Sequence, residues 1–591
     1  MLKKTDIFRK PFPAAMALLL IAAVTLLPFL GLTDFNTKGE PREAIVAQTM
    51  LQTGNWVLPD NNGGEFAYKP PLFHWAVAVC SLPTGEVTEF SSRLPSAVAA
   101  IVLAFSTFLF FSRRRDEMTG FLTALILLTT FEVHRAAMNC RVDMLLTMFI
   151  VLALYSMLRW VERDLKGFPL WAVVMMGCGT LVKGPVAILL PCMVAGVHYL
   201  LDGGKWLWSR FGRALLLFAL VAVASLVLPA AWYYAAYLQG GDKFLYLVYE
   251  ENVLRFLGKM PYPSHLHGPF YYIPILLAGL LPWTLLVVES FFFRRAFKVV
   301  AVREKPSFLG RMKSWWSRLD DTERYCWLSS VLIFIFYIIP QSKRGVYILP
   351  MYPFLAYFLA RFVQDLKNYR PRALKAFEWT LAILILIGFV AYIAVQSGLV
   401  SAEMLGTRFA EKNGAMMQAL RDVPVGEWVY ITVVIVLIAS FYALQRLPRA
   451  VSGSIYNILA ALLLLDVFIL PPMMSSRSDK PMAQRVEELA CERPLYSYID
   501  DNSGMMHYFT LNFYAHNNIR NFPTGVESER FNSVSAQLPD DVYLLIGSET
   551  LQGFRERYPQ YSCTLVEDFQ RRSCDIKQNV QVWLIKKASP Q

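Results

Sequence analysis

Charged side chains are scarce in this chain. They make up 17% of its 591 residues, whereas hydrophobic residues make up 55%. This balance argues against a soluble globular protein of this length. The sequence also lacks a Walker loop, a dinucleotide-binding fingerprint, cysteine pairs at metal-binding spacing, an internal repeat and basic runs interleaved with aromatic residues. Nucleotide-binding and nucleic-acid-binding classes of protein therefore have no support in the sequence.

The hydrophobic residues are concentrated in runs of about 17–25 residues, the length that crosses a bilayer core. The first run, 14–32, follows four basic residues between positions 3 and 10, and no small-residue cleavage site comes after it. We therefore interpret it as a retained signal anchor. The pattern predicts about thirteen transmembrane helices, at 14–32, 94–112, 119–139, 142–160, 168–183, 185–201, 214–237, 270–292, 326–340, 347–363, 376–397, 427–444 and 454–472.

Basic residues are unequally divided between the two sides of this topology. One side receives the basic clusters at 113–115, 159–166, 205–213, 294–324 and 367–375. Because cytoplasmic loops are enriched in lysine and arginine, that side and the N-terminus are predicted to be cytoplasmic. The net charge of +12 then reflects topology. The extracytoplasmic side receives residues 33–75, 139–143, 240–269, 342–347 and the C-terminal tail.

The tail changes character after Pro471 and Pro472. Residues 475–591 carry many charges and short alternating runs, which predict strands at 542–548 and 580–587 and helices at 483–490 and 551–558. The tail is therefore predicted to be a small α/β domain outside the membrane. Its cysteines, Cys491, Cys563 and Cys574, would face an oxidising compartment. A bridge between Cys563 and Cys574 and a set of free thiols are both open, and an odd count leaves one thiol over.

The segment from Thr33 to Trp75 places acids and bases together beside the end of the first apolar run. Residues 38–51 predict an amphipathic helix, with Pro41 in its first turn. Glu43 can be explained as part of the solvent-exposed (wet) face of that helix. Glu40 is less easily explained in this way, because it sits against the mouth of the first span. Lys69 precedes two prolines and can either reach lipid head groups or bind a phosphate.

Motifs in this segment and beyond it resemble those of a known family. They are GEPREA, KPPLFHW, SSRLPSAV, RVDML, LVKGP, HLHGPFYYIPILLAGLLPW and SKRGVYILPMYP, in this order over roughly the first 360 residues. The chain thus resembles the polyprenyl-phosphate-sugar-dependent membrane glycosyltransferases, which include lipid A aminoarabinose transferases and protein O-mannosyltransferase-like enzymes. The resemblance implies a GT-C fold, with in-plane helices and a soluble C-terminal domain. It also implies inverting transfer of a sugar from a polyprenyl phosphate.

A lipid phosphate as leaving group requires cations that offset its charge. The candidates on the predicted extracytoplasmic side are Arg42, Lys69, Lys343 and Arg344, with Lys183 as a weaker candidate. A basic pair at 343–344 runs against the positive-inside bias, which favours phosphate binding over simple anchoring.

A hydroxyl acceptor needs a base as well as positioning, and Glu40 and Asp143 are the leading candidates. The acid of Asp143 could instead make a structural contact with Arg141 or the helix N-terminus. The family motif carries an aspartate where this chain has Gly39. Either Glu40 takes over that role, or Asp34 folds back, or Asp143 is the sole base.

Metal dependence is a second departure from the family. Some members carry a glutamate where this chain has Tyr68, and pair it with a loop histidine on zinc. His265 and His267 remain here, but two histidines alone are weak evidence for zinc. We expect them to bind phosphate or to orient the acceptor, or to be plain loop residues. No cofactor is predicted with certainty, a divalent metal stays open, and Tyr347 is expected to close over the substrate or to lie in the aromatic belt.

Together these observations predict a polytopic α-helical bacterial inner-membrane protein of the GT-C type. Residues 1–474 would form the transmembrane catalytic module, with in-plane helices at 33–92, and 475–591 a soluble periplasmic α/β domain. It would move a hexose or pentose from polyprenyl (undecaprenyl) phosphate to lipid A or protein. Membrane lipids would be its surroundings, and no nucleic acid would be a partner. A flippase of lipid-linked sugars and a non-catalytic scaffold for glycan assembly are the alternatives.

Overall fold

The structure, a computed structural model, describes residues 13–61, 65–67, 69–201, 208–259, 265–293, 314–422, 425–445, 447–499, 507–523 and 538–587. Tyr68 and the basic residues before position 13 lie outside these ranges. The helices, numbered in chain order, are α1 Ala14–Leu26, α2 Pro41–Thr53, α3 Leu72–Ser81, α4 Glu89–Arg114, α5 Glu117–Thr129, α6 Phe131–Ala137, α7 Val142–Glu162, α8 Leu170–Lys183, α9 Val186–Leu201, α10 Trp208–Tyr249, α11 Arg255–Leu257, α12 Tyr272–Gly279, α13 Trp283–Phe292, α14 Asp321–Ile338, α15 Tyr352–Tyr369, α16 Pro371–Gln396, α17 Thr407–Asp422, α18 Glu427–Leu444, α19 Arg449–Leu463, α20 Leu470–Ser475, α21 Lys480–Glu492, α22 Phe509–Tyr514 and α23 Leu551–Arg557.

Seven of the described helical segments are long and apolar enough to cross a membrane. They are Glu89–Arg114, Val142–Glu162, Arg210–Leu254, Gly345–Tyr369, Pro371–Gln396, Glu427–Leu444 and Arg449–Ser475. An eighth span results if Pro269–Gly279 and Trp283–Phe292, which meet at 87°, are counted together. The chain is thus a multi-pass membrane protein. The predicted count of thirteen is not confirmed, because the five further apolar helices in the described ranges are only 10–17 residues long.

Two predicted boundaries are wrong. The predicted span 119–139 is divided at Thr130, whose extended backbone (ψ 135°) separates α5 from α6. Residues 240–249, predicted to be loop, continue as the last turns of α10 after a break at Gly241 (φ 57°). The reason is packing, since Phe244 and Leu247 are buried in a cluster with Trp232. An apolar run that finds a partner stays helical where charge alone predicts a loop.

The amphipathic helix predicted near residue 40 is confirmed as α2. Pro41 lies in its first turn, where the missing N–H costs no hydrogen bond. Gly54 ends the helix in the left-handed conformation (φ 71°), and its N–H donates to the carbonyl of Met50. Ile45 and Ala47 are fully buried. Both faces of α2 are covered, one by α3 and the other by α22.

The C-terminal part contains a five-stranded sheet. Its strands are β3 Leu495–Tyr498, β4 Ile519–Asn521, β5 Val542–Gly547, β6 Tyr561–Arg572 and β7 Asn579–Lys587, after the two-residue strands β1 Asp60–Asn61 and β2 Glu65–Phe66. The strand order is β4-β3-β5-β7-β6, parallel among the first three and antiparallel in the others. The predicted strands at 542–548 and 580–587 and the predicted helices at 483–490 and 551–558 are confirmed. The division at residue 474 and the in-plane placement of 33–92 stay predictions.

All eight cysteines of the chain are free thiols in this structure. Of the two alternatives that the sequence left open for Cys563 and Cys574, the free thiols are therefore observed. Cys563 lies on strand β6, and Cys574 lies in the turn after that strand. Cys491, the third cysteine of the tail, is exposed.

The sheet region docks on the membrane part through α22. The hydroxyl of Tyr514 accepts the backbone N–H of Phe35 (3.0 Å) and donates to Glu89 (2.7 Å). Phe35 also packs edge-to-face on Phe513, with ring centroids 5.0 Å apart. The ammonium of Lys480 lies 2.9 Å from Glu89. These contacts hold the C-terminal sheet against the segment before α2. The two parts are therefore joined directly before the GEPREA motif, which begins at Gly39.

Replacing Tyr514 by phenylalanine should weaken this docking. The substitution leaves the N–H of Phe35 without its acceptor and removes one of the two donors of Glu89, which keeps Lys480. We expect a loss of about 2 kcal/mol in stability. The expected result is a lower Tm in detergent. Tyr496→Phe, at a half-buried tyrosine of β3, is the matched control. Equal Tm values for the two variants would contradict this account of the docking.

Candidate active site

Glu40 lies immediately before α2, and its carboxylate is bound on both oxygens. The guanidinium of Arg93 donates to them from Nε (2.8 Å) and Nη2 (3.1 Å), and the backbone N–H of Cys140 donates to Oε1 (2.8 Å). Arg93 also donates to the carbonyls of Leu30 and Thr33, at 2.7 Å each. Both side chains are buried. Glu40 thus joins α2 to α4 and to the turn before α7, and its predicted role as a base stays a prediction.

Gly39, where the family motif carries an aspartate, lies against the guanidinium of Arg141. A Cβ atom at Gly39 would stand 1.6 Å from Nη2 of Arg141. No side chain can occupy this position unless Arg141 moves, so a cation fills the space of the missing acid. Asp34, the proposed substitute, lies elsewhere: its carboxylate pairs with Lys480 at 3.2 Å, in the docking contact.

Glu43 is the centre of a buried charge cluster. Its Oε1 pairs with Lys69 and with Arg42 (3.1 Å), and its Oε2 lies 3.0 Å from Nε2 of His74. Glu43 is 2% exposed and His74 1%. The interpretation of Glu43 as the wet face of α2 is therefore wrong, because α3 covers that face. His74, which lies on α3, is a partner of this carboxylate.

The cluster shifts the protonation of its members. Burial by itself would raise the pKa of Glu43, but Lys69, His74 and Arg42 outweigh it and hold this pKa well below its ordinary value. Burial and the neighbouring charge of Arg42 lower the pKa of Lys69 to about 8, against the opposing effect of Glu43. At neutral pH the carboxylate is ionised and Lys69 is close to the pH at which it loses its proton.

Asp143 lies in the first turn of α7 and is 5% exposed. Its carboxylate pairs with the ammonium of Lys183, the last residue of α8. The same ammonium lies 4.4 Å from the centre of the Tyr347 ring, in cation–π contact. The partner of Asp143 is thus Lys183, rather than Arg141 as the sequence suggested. Asp143, Lys183 and Tyr347, which are distant in the sequence, therefore meet at this point.

The loop that carries His265 and His267 is joined to the loop before Gly345. Leu266 and Ser342 form an antiparallel bridge. The ammonium of Lys343 is buried and donates to the carbonyls of His267 (3.1 Å) and Pro340. Lys343 therefore holds the loops together, and its predicted contact with phosphate stays a prediction.

His265 and His267 face different neighbours. Nε2 of His265 lies 2.5 Å from Nη2 of Arg344, while the ring of His267 stacks on Tyr271 with centroids 4.1 Å apart. His265 has a left-handed backbone (φ 57°), a strained conformation that the bridge between the loops holds. Burial and the charge of Arg344 lower the pKa of His265 to about 4, so it is neutral at neutral pH. Among the described residues, these histidines belong to no group of three metal-ligand side chains.

The cations of the site act on one another. Burial lowers the pKa of Arg344, and the charges of Arg141 and Arg42 lower it further, while Tyr347 and Asp143 oppose them. Lys183 pairs with Asp143 and contacts Tyr347, and Arg344 lies against His265, so the Asp143–Lys183 pair and the two joined loops form one basic region. Of the residues predicted from sequence, Asp143, Arg344 and Tyr347 contribute to it, while Arg42 and Lys69 belong to the Glu43 cluster. The sequence analysis did not single out Arg93, assigned Glu43 to the exposed face of its helix and considered Arg141 only as a structural contact of Asp143.

Neutralising Glu43 should destabilise this region. Glu43→Gln leaves Lys69, Arg42 and His74 around an uncharged amide, and losing one partner of a buried ion pair typically costs about 3 kcal/mol. We expect a clearly lower Tm in detergent. Glu86→Gln, in an exposed loop of the same region, is the matched control and should leave Tm unchanged. A Glu43→Gln variant as stable as this control would contradict the role of the carboxylate.

Comparisons with known proteins identify similar chains. A family model described as dolichyl-phosphate-mannose-protein mannosyltransferase matches residues 68–232. The undecaprenyl phosphate-alpha-4-amino-4-deoxy-L-arabinose arabinosyl transferase of Shewanella sediminis is 27% identical over 59% of this chain and 59% of its own. The protein of the same name from Pseudomonas savastanoi pv. phaseolicola is 29% identical over 64% of this chain and 67% of its own. The match to the Shewanella relative thus spans about three fifths of that protein's length.

The fold has counterparts among solved structures. ArnT from Cupriavidus metallidurans in the apo state superposes with a TM-score of 0.64, at 20% identity, over 98% of each chain. The structure of the same protein bound to undecaprenyl phosphate gives a TM-score of 0.62 at 19% identity, over 98% of this chain and 99% of that one. The fold is therefore of the GT-C type, and the resemblance to the polyprenyl-phosphate-sugar-dependent membrane glycosyltransferases that the motifs indicated is confirmed.

Proposed function

We propose that this chain is an inverting glycosyltransferase that moves a sugar from a polyprenyl phosphate, of the undecaprenyl type, to an acceptor in the bacterial envelope. One observation carries the proposal: the buried carboxylate of Asp143 pairs with Lys183, whose ammonium also contacts the ring of Tyr347, three residues after Arg344. The cluster of Arg42, Lys69 and Glu43 adds further cations to this side of the protein. A reaction whose leaving group is a lipid phosphate needs this pairing of cations and a carboxylate. The names of the relatives support an aminoarabinose as the sugar. Lipid A as the acceptor follows from the motif resemblance to lipid A aminoarabinose transferases.

The phosphate of the donor would be held by Arg344, Arg42 and Lys69. As the bond between the anomeric carbon and the phosphate oxygen breaks, negative charge grows on the phosphate, and cations already in place stabilise it. Glu43 would act as a positioning residue, because it holds Arg42 and Lys69 side by side. An ammonium has three N–H donors, and Lys69 gives one of them to Glu43. The cluster therefore keeps a donor for a phosphate oxygen.

Asp143 is the carboxylate best suited to the acceptor. Glu40 is bound on both oxygens by Arg93 and Cys140, which favours a positioning role for it. In the described part of the chain, Asp143 forms its ion pair with Lys183. It could take the proton of an attacking hydroxyl. If the acceptor is a phosphate, the nucleophile is already an anion, and the pair would instead orient it.

The polarity of the helices supports an extracytoplasmic site. Helix α7 begins beside Asp143 and ends at Glu162, next to Arg159 and Arg163. Helix α4 begins beside Arg93 and ends at Arg113 and Arg114. In both helices the site end and the basic end are opposite, and basic ends favour the cytoplasm. The proposal is therefore that the site and the C-terminal sheet face the periplasm in the inner membrane.

Transfer by the purified protein tests the function. In proteoliposomes with undecaprenyl-phosphate aminoarabinose and lipid A, we expect aminoarabinose on the lipid A phosphate. Asp143→Asn should lower kcat by about 100-fold or more, the usual loss for a group that positions or deprotonates a nucleophile. Asp164→Asn is the matched control and should keep full activity. Asp164 lies in the loop just after the opposite end of α7, where it pairs with Arg213.

Three outcomes would overturn the assignment. Full activity of Asp143→Asn would remove Asp143 from the mechanism. Movement of the intact donor across the bilayer without transfer would indicate a flippase. Donor binding without transfer to lipid A or to protein acceptors would indicate a non-catalytic scaffold.

The pH dependence of donor binding tests the role of Lys69. Its pKa of about 8 means that the charge is present below pH 8 and lost above it. The donor phosphate is a diester and does not titrate in this range, so KM for the donor should rise by about fivefold or more between pH 7 and 9. Lys69→Arg should give a flat profile, because a guanidinium stays charged. A flat wild-type profile, or an equal rise in Lys69→Arg, would contradict this role.

A further inference from the structure

A second cluster of ligand-type side chains lies in the C-terminal part, apart from the transfer site. Asp479 precedes α21, while Cys574 and Asp575 lie in the turn between β6 and β7. One ligand atom from each residue lies within 4.8 Å of those of the other two. Asp479 is fully buried and Asp575 is 9% exposed. A surface group of acids would be common, but two buried carboxylates beside a thiol are not.

The hydrogen bonds of this cluster come from neutral groups. Asp479 accepts from the hydroxyl of Ser573 (2.9 Å) and from the backbone N–H of Cys574 (3.0 Å). Asp575 accepts from the backbone N–H of Thr510 (2.8 Å), and the thiol of Cys574 lies 3.5 Å from Asp479. Within the described part of the chain, neither carboxylate forms an ion pair with a lysine or arginine. Buried carboxylates normally have a cation or bind a metal.

A further side chain points to a ligand in the same place. The hydroxyl of Tyr508 is buried, with 1% of the residue exposed, and has no hydrogen-bond partner among the described residues. Tyr508 lies two residues before Thr510, whose N–H donates to Asp575, and it packs in one apolar cluster with Met482, three residues after Asp479. The two carboxylates are also the charges that act on this hydroxyl, after its burial. A buried hydroxyl without a partner is costly in a folded protein. A ligand bound between the carboxylates would give this oxygen a partner.

We propose that Asp479, Cys574 and Asp575, with the hydroxyl of Tyr508 beside them, bind one zinc ion. The thiol selects the metal. Calcium and magnesium take oxygen ligands almost exclusively, whereas zinc combines cysteine sulfur with carboxylate oxygen in a four-coordinate site. Zinc binds the thiolate, so the proton of the Cys574 thiol is released to solvent when the metal binds. The site is structural, because no sugar- or phosphate-binding group of the transfer site belongs to it.

The location of this site gives it a mechanical role. Asp479 lies four residues after the end of α20, the last helix of the membrane part. Tyr508 immediately precedes α22, which packs against α2. Cys574 and Asp575 belong to the hairpin of the sheet. One ion would therefore tie the sheet to both the chain that leaves the membrane and the helix that contacts the transfer region.

Metal content of the full-length protein tests the proposal. Protein purified in detergent, stripped with a chelator and titrated with Zn²⁺, should bind one zinc ion per chain, with a higher Tm, and should not respond in this way to Ca²⁺ or Mg²⁺. Cys574→Ser and Asp575→Asn should each weaken zinc binding by at least about tenfold. Cys491→Ser, which removes an exposed thiol outside the cluster, is the matched control and should leave zinc binding unchanged.

A cobalt titration gives a second readout that does not depend on activity. Co²⁺ bound by a thiolate has a sulfur-to-metal absorption band, which should appear in the wild type and in Cys491→Ser but not in Cys574→Ser. If Cys574→Ser fails to fold, Asp575→Asn decides, since it removes a like charge and should fold at least as stably as the metal-free wild type.

Three results would overturn the proposal. They are no zinc bound by the wild type at micromolar concentrations, zinc binding unchanged in Asp575→Asn, or zinc lost in His265→Ala and His267→Ala instead. The last result would assign the metal to the loop histidines.

Discussion

The geometry of the site depends on a buried ion pair between Glu40 and Arg93. Taking two charges out of water is costly inside an apolar helical protein, and the cost is offset only when every donor and acceptor is satisfied. Arg93 comes close to this condition, because four of its five N–H donors bind the two oxygens of Glu40 and two carbonyls. Glu40 also accepts the N–H of Cys140. The pair fixes where α2 begins and therefore where Glu43 stands relative to Lys69.

Around the Glu40–Arg93 pair, the site residues carry more positive than negative charge. Such an arrangement is unfavourable for the protein alone. Burial is the main reason that the pKa values of Lys69 and Arg344 are lowered, and neighbouring arginines lower both further. Sites that bind anions often carry this kind of strain, which the ligand relieves. The presence of Arg141 against Gly39 adds to it, because a cation occupies a place where the family motif has an acid. The excess charge is thus a property of the whole region and not of one motif.

The sequence predicted much of this architecture, and its failures have physical causes. The helix at Pro41–Thr53, the strands of the tail and the grouping of Arg42, Lys69 and Asp143 follow from local pattern and motif. Glu43 was misinterpreted because helical periodicity places it on the polar face of α2 but does not show that α3 covers this face. An arginine in the first turn of an apolar span was a usable signal for Arg93, since such residues need a partner. The approach of Arg141 to Gly39 requires coordinates.

The bridge between Leu266 and Ser342 makes the two loops over the site a single mechanical unit. The backbone N–H of His267 donates to the carbonyl of Gln341 (3.2 Å), and that of Lys343 donates to the carbonyl of His265 (3.0 Å). Separating the loops would break both bonds and the Lys343 contact to His267, at about 1 kcal/mol each. Arg344 and His267 therefore cannot adjust to a bound lipid independently. Any movement of one loop must therefore also move the other, although about seventy residues separate the two loops in the sequence.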